Sequence, residues 1–147
     1  MEPTPTQPSP RHSLMTLRII WFALLMGQVI FLAIVLWLIR QPGQAAEPQM
    51  RRSLFIIAAV MLATAIPVGY FLRMRLYERG REPDGSVSPG AYGSGNIIFY
   101  ALCEGPSLFA IVGILLSREP MPFIILTLVA MAAQAVNFPT GAPLRER

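Results

Sequence analysis

The chain reads as an all-α integral membrane bundle of four transmembrane helices, and three observations predict it. Of its 147 residues, 54% are hydrophobic and only 14% charged, where a soluble domain carries about 25% charged residues. Four uncharged or nearly uncharged stretches, residues 19–39, 53–72, 96–117 and 121–138, take up most of the length. Each is about as long as a helix that crosses a hydrocarbon core of roughly 30 Å. All twelve basic residues are arginine, and they gather at the ends of these stretches, where topology determinants belong.

Residues 1–16 read as a disordered tail, because positions 1–10 hold four prolines with Thr, Gln and Ser. The first helix is predicted over 17–39 and is ended by Gln41-Pro42-Gly43-Gln44. Its apolar run of about 21 residues exceeds the usual 7–15 of a signal peptide, so it reads as a retained helix. The second helix is predicted over 53–72, with Ser53 as N-cap and an amphipathic continuation through Arg73, Arg75, Tyr77 and Arg79. Residues 80–95, rich in Gly, Pro and Ser, read as the longest internal linker. The third helix is predicted over 96–117, a tight Arg118-Glu119-Pro120 turn follows, and the fourth helix covers 121–138. Pro139-Thr140-Gly141 breaks it and opens a tail over 139–147.

Arginine counts predict the orientation. With four spans, both termini share one side with the middle loop, and that side holds Arg11, Arg18, Arg73, Arg75, Arg79, Arg81, Arg145 and Arg147. The opposite side holds Arg40, Arg51, Arg52 and Arg118. Eight against four places both termini in the cytoplasm of a bacterial inner membrane. Trp21, Phe22, Tyr70, Phe71, Phe99 and Tyr100 then mark the cytoplasmic interface and Trp37 the other one. The net charge of +4 forms no single stripe, and little chain is left outside the bilayer to build a nucleic-acid surface. Cys103 is the only cysteine and reads as a small packing residue; His12 is the only histidine and lies in the tail. No cofactor site, metal-ligand cluster or catalytic Ser-His-Asp or Cys-His set can be assembled from these residues, so the chain reads as non-enzymatic.

The first and third helices resemble each other. At an offset of 78, Arg18 to Arg40 and Asn96 to Arg118 share eight of 23 positions, including Gly27/Gly105 and Arg40/Arg118. This suggests a duplicated two-helix hairpin, a parallel repeat.

Glu104 is the one ionisable side chain inside the apolar stretches. A charge at bilayer depth is costly, which makes the residue a functional-site hypothesis. Tyr100 precedes it by four residues and Ser107 follows by three, so helical spacing puts all three on one stripe. Pro106 lacks an N–H and frees the carbonyl of Leu102 for another donor. Counting from the helix ends brings Gln28, Thr64 and Gln134 to a similar depth. A polar layer of Gln28, Thr64, Tyr100, Glu104, Ser107 and Gln134 follows if these faces point inward. No arginine or lysine lies at that depth to hold an ionised carboxylate, so a protonated, hydrogen-bond-donating Glu104 is expected. Two roles stay open: a polar contact that packs the bundle, a second copy or a membrane-protein partner, and a proton- or cation-binding carboxyl. Small residues on the second and fourth helices, such as Ala58, Ala59, Ala132 and Ala133, suit close helix packing. The arginines from Arg73 to Arg81 suit topology determination or contact with anionic headgroups of the bilayer.

The run Ala101-Leu102-Cys103-Glu104-Gly105, with the late Pro139-Thr140, resembles small bacterial four-helix membrane proteins of unassigned function. Residues 100–112 are also similar, more faintly, to the carboxylate helix of the proteolipid subunit c of rotary ATP synthases. That second resemblance implies a proton or sodium ion carried by Glu104 around a ring. The Gly-x-Gly-x-Gly run of the ring's inner helix has no counterpart in this chain.

Overall fold

The computed structural model describes residues 10–144; positions 1–9 and 145–147, which belong to the two predicted tails, lie outside the described residues. The described chain is all-helical: α1 (Pro10–Leu38), α2 (Pro48–Arg79), α3 (Pro89–Ser117), α4 (Phe123–Val136) and a final 3₁₀ turn, Ala142–Leu144. α1, α2 and α3 are each long and apolar enough to cross a membrane. α4 has 14 residues, about 21 Å at 1.5 Å per residue, short of a hydrocarbon core.

Three helices begin earlier than composition predicts, and the reason is the same each time. Pro10, Pro48 and Pro89 each occupy the first helical position, where a missing N–H costs nothing and the fixed φ suits the helix. α2 therefore starts five residues before Ser53, whose hydroxyl donates to the Gln49 carbonyl at 3.1 Å and does not cap the helix. Residues 10–16 are the first turns of α1, and 89–95 are the first turns of α3. The predicted linker thus shrinks to residues 80–88, and that segment is ordered. Arg81 and Val87 form a β-bridge, Ser88 N–H donates to the Gly80 carbonyl at 2.8 Å, and Glu82 N–H donates to the Ser86 carbonyl at 2.8 Å. Asp84 accepts from the Ser86 N–H at 2.9 Å and the Ser86 hydroxyl at 2.7 Å. α2 runs on to Arg79, as its amphipathic continuation predicts.

α3 is the axis of the bundle. Half of its apolar stretch is buried, against about a tenth for α1. It packs against α1, α2 and α4, whereas α1 and α2 hardly touch. The likeness between the α1 and α3 sequences is therefore not mirrored in packing, since α3 and α4 lie together and α1 and α2 do not. Close approach depends on glycines. A methyl at Gly113 would overlap the Phe123 ring at the start of α4, and one at Gly95 would press on Tyr77 and Arg73 of α2. The outer surface is apolar: Ile30, Ile34, Ile57, Val60, Phe71, Ile125 and Leu128 are all exposed. A belt of this size would be an aggregation hazard in water and is the normal outer surface in lipid.

The two described chain ends and the 80–88 loop meet at one end of the bundle. Val87 N–H donates to the Pro143 carbonyl at 2.8 Å, and Leu14 packs on Gly141, where φ is +81°. At the other end Arg118, with φ +54°, closes α3 in the left-handed conformation. Its guanidinium donates to the carbonyls of Gln41, Leu38 and Ile39. These carbonyls lie at and just past the end of α1, where Leu38 also accepts from the Gln41 N–H at 3.0 Å, and a cation there complements the helix dipole.

Replacing Arg118 by Ala should cost about 1 kcal/mol, read as easier unfolding in mixed micelles, with Arg118→Lys recovering part of it; equal stability of all three proteins would show that the cap contributes nothing. The Ser86 hydrogen bonds hold the Asp84 carboxyl below its usual pKa. A depressed folded-state pKa contributes stability that is full above the ordinary aspartate range and lost as pH falls through the lowered value. The Ser86 amide resonance should therefore keep its native position at neutral pH and move only in acid, and Asp84→Ala should remove the transition.

Candidate functional site

Two buried polar clusters lie on the inner faces of the helices. The first joins α1 to α4. Gln28 Nε2 donates to Gln134 Oε1 at 2.7 Å, and neither side chain has any exposed surface. The same Gln28 nitrogen also reaches the Leu24 carbonyl at 3.4 Å, which favours this amide orientation over the flipped one. Gln28 Oε1, Gln134 Nε2 and the hydroxyl of Ser107 are buried without a partner. Such atoms are costly in an apolar interior.

The second cluster sits nearer the 80–88 loop. Asn96 Nδ2 donates to the Tyr77 hydroxyl at 2.6 Å and to the Tyr92 carbonyl at 2.8 Å. The Tyr100 hydroxyl donates to the Asn137 carbonyl at 2.9 Å and reaches Asn96 Oδ1 at 3.4 Å. Arg73 donates to Asn137 Oδ1 at 2.8 Å, and its guanidinium lies over the rings of Phe99 and Tyr70, at 4.9 and 5.0 Å from their centroids. Tyr77 and Tyr92 stack at 5.5 Å, and the Tyr92 hydroxyl accepts from the Gly141 N–H at 3.0 Å. Trp21 Nε1 donates to the Gln134 carbonyl at 2.9 Å, and Arg18 Nε to the Pro139 carbonyl at 3.2 Å. Side chains from α1, α2 and α3 thus converge on the C-terminal end of α4 and the irregular segment that follows it.

Of the six residues in the predicted polar layer, Gln28 and Gln134 are brought into direct contact. Ser107 is buried without a partner. Tyr100 is fully buried and bonds to Asn96 and Asn137. Thr64 does not join: it is exposed on α2, and its hydroxyl donates to its own helix, at Val60 and Met61. A threonine can satisfy itself in this way, so its depth did not determine its direction. Glu104 is half-buried at the edge of the exposed face of α3 that carries Ala101, Gly105 and Val112. Among the described residues it has neither a hydrogen-bond partner nor an ion pair, the one ion pair being Arg51–Glu119. Asn96, Asn137 and Tyr92 were not read from the sequence as site residues, and Tyr77 only as part of the amphipathic end of the second helix. Tyr92, Asn96 and Tyr100 recur every four residues, a signal hidden by starting α3 at 96 instead of at Pro89.

The fold and its polar clusters describe an apolar helical bundle suited to a bilayer. The chain matches no family model, no curated protein and no solved structure.

A double-mutant cycle tests the first cluster. Gln28→Leu and Gln134→Leu should each destabilise by roughly 0.6–2 kcal/mol, because each strands the other amide. The double variant should recover much of that loss, as an apolar pair of similar shape leaves nothing unsatisfied. Simple additivity in a reversible unfolding assay would show that the two amides do not act as a pair.

Proposed function

We propose that this chain is a non-enzymatic integral membrane protein that crosses a bacterial inner membrane four times and joins a membrane partner through the open face of α3. Glu104 is the polar contact of that face. One observation carries the reading: Glu104 makes no hydrogen bond or ion pair within the described chain, although it stands mid-helix beside exposed Ala101 and Gly105. An intramembrane carboxyl is expensive unless it finds a donor or acceptor, and small neighbours let a second helix come close enough to supply one. The partner is a helix, from another protein or a second copy, that presents a hydrogen-bonding side chain at this depth.

The four-pass reading rests on the path of the last segment. α4 is too short to cross alone, but residues 137–144 carry the chain back to the end where α1 begins, beside Leu14 and Val87. Non-helical backbone is tolerated at membrane depth where protein surrounds it, and Pro139 and Gly141 are buried. An even number of crossings puts the described ends and the 80–88 loop on one side, and the arginine excess assigns that side to the cytoplasm.

The partner reading is tested by cross-linking in native membranes from Ala101→Cys on a Cys103→Ala background. Glu104→Leu should lower the cross-link yield several-fold, while Glu104→Gln, which still hydrogen-bonds, should keep most of it. An unchanged yield in Glu104→Leu would remove the partner role. The ion-linked alternative predicts a different result: labelling of Glu104 by dicyclohexylcarbodiimide that falls as pH rises, with Gln as disabling as Leu.

A further inference from the structure

We propose that the flank between the lower half of α2 and α3 is a binding site for one anionic phospholipid. A groove of about 440 Å³ runs there, lined by Phe71, Leu72, Arg75, Leu76, Arg79 and Ile98. Phe71, Arg75 and Arg79 follow one another at four-residue spacing, so they form a single stripe along α2. The groove changes character along its length. Its upper part is apolar, from Phe71, Leu72 and Ile98; its lower part carries two guanidinium groups at the end of a helix long enough to cross the membrane. That is the order of an acyl chain and a phosphate headgroup in a leaflet. The Arg75 guanidinium lies over the Phe71 ring, 5.1 Å from its centroid, which holds the cation at the boundary between the two parts.

Apart from the stacking of Arg75 on Phe71, the charge of these arginines is not used among the described residues. Arg75 and Arg79 are exposed, no acid lines the groove, and neither arginine forms an ion pair among the described residues, neighbouring Glu78 included. Arg73 on the same helix is different, since it turns inward to Asn137 and the Phe99 ring. α2 thus divides its arginines between an internal tie and an outward-facing pair. A planar guanidinium suits a phosphate bidentately, and each basic residue near an anionic surface contributes about 1 kcal/mol. The site rests on the membrane placement of α2 but not on Glu104 or its partner.

The test is native mass spectrometry of the full chain released from micelles doped with phosphatidylglycerol and phosphatidylcholine of identical acyl chains. The protein should retain one phosphatidylglycerol in preference to phosphatidylcholine. Arg75→Gln/Arg79→Gln should lower that preference roughly ten- to thirty-fold, while Arg40→Gln/Arg52→Gln, at the opposite end, should leave it intact. Ile98→Trp, which fills the groove and keeps both arginines, should also displace the lipid, so a folding defect in the charge variant does not decide the matter. Equal retention of the two lipids, equal retention in the Arg75/Arg79 variant, or full displacement by inorganic phosphate alone would overturn the proposal. Extraction of the variants in the membrane fraction separates loss of the site from loss of membrane placement.

Discussion

The last carbonyls of α4 are the constraint around which the rest of the bundle is arranged. Any helix ends with four acceptors that have no intrahelical partner. In water, solvent satisfies them; in an apolar bundle the protein must. α4 ends after 14 residues, so its terminus falls inside the structure. Trp21 from α1 reaches the Gln134 carbonyl, Tyr100 from α3 reaches the Asn137 carbonyl, and Asn137 turns back to the Ala133 carbonyl at 2.8 Å. Arg73 from α2 then holds Asn137 itself. Each of the other helices therefore has a fixed register relative to one point. The continuation through buried Pro139 and Gly141 is held by Arg18, which donates to the Pro139 carbonyl, and by the Tyr92 hydroxyl, which accepts from the Gly141 N–H.

α3 can stand at the centre because its side chains alternate between bulk and absence. Gly95 admits Tyr77 and Arg73, and Gly113 admits the Phe123 ring. Phe99, Tyr100, Cys103, Ile111 and Ile114 fill the remaining inner face with no exposed surface or almost none. The hydrophobic effect gives little drive to helix association in lipid, so close contact and hydrogen bonds must supply it. The glycine contacts and the two polar clusters supply both. One consequence is that α3 has an inner side that is fully committed and an outer strip, Ala101, Gly105 and Val112, that no other helix of the described chain covers.

The sequence made the long apolar helices legible because length and composition are additive along the chain. Their starting points were hidden by a competing signal. Pro89 with Gly90, Gly93 and Gly95 reads as linker by composition, yet proline suits the first helical position and Gly95 lets the helix pack closely on Tyr77 and Arg73 of its neighbour. The short α4 was hidden for a similar reason: residues 121–138 are apolar throughout, but Pro122 sits just before the helix and Asn137, whose side chain bonds to Ala133 and Arg73, just after it. Depth counting found Gln28 and Gln134, because both are long amides on helices whose inner faces are opposed. It failed for Thr64, since depth carries no information about direction around a helix. Arg73 read as a topology charge, and only the folded chain shows it turned inward, where its long apolar stem lets the charged head reach across.

The division of labour among polar groups bears on Glu104. Within the described bundle, ties between helices are made by amides, a phenol, an indole and arginines donating to carbonyl oxygens, or, from Asn96, to the Tyr77 hydroxyl. None of these hydrogen bonds is made by a carboxyl group, and the one ion pair among the described residues, Arg51–Glu119, lies at the end of the bundle, between α2 and the turn after α3. Glu104 therefore takes no part in these ties, and a leucine in its place would cost the fold no hydrogen bond. An apolar residue is also the cheaper choice at an edge facing lipid. On the proposed reading, this unused carboxyl is matched from outside the described chain, by the helix that meets the open strip of α3. That is the physical basis for placing function at this strip and not in the buried Gln28–Gln134 pair, whose hydrogen bond already serves the join between α1 and α4.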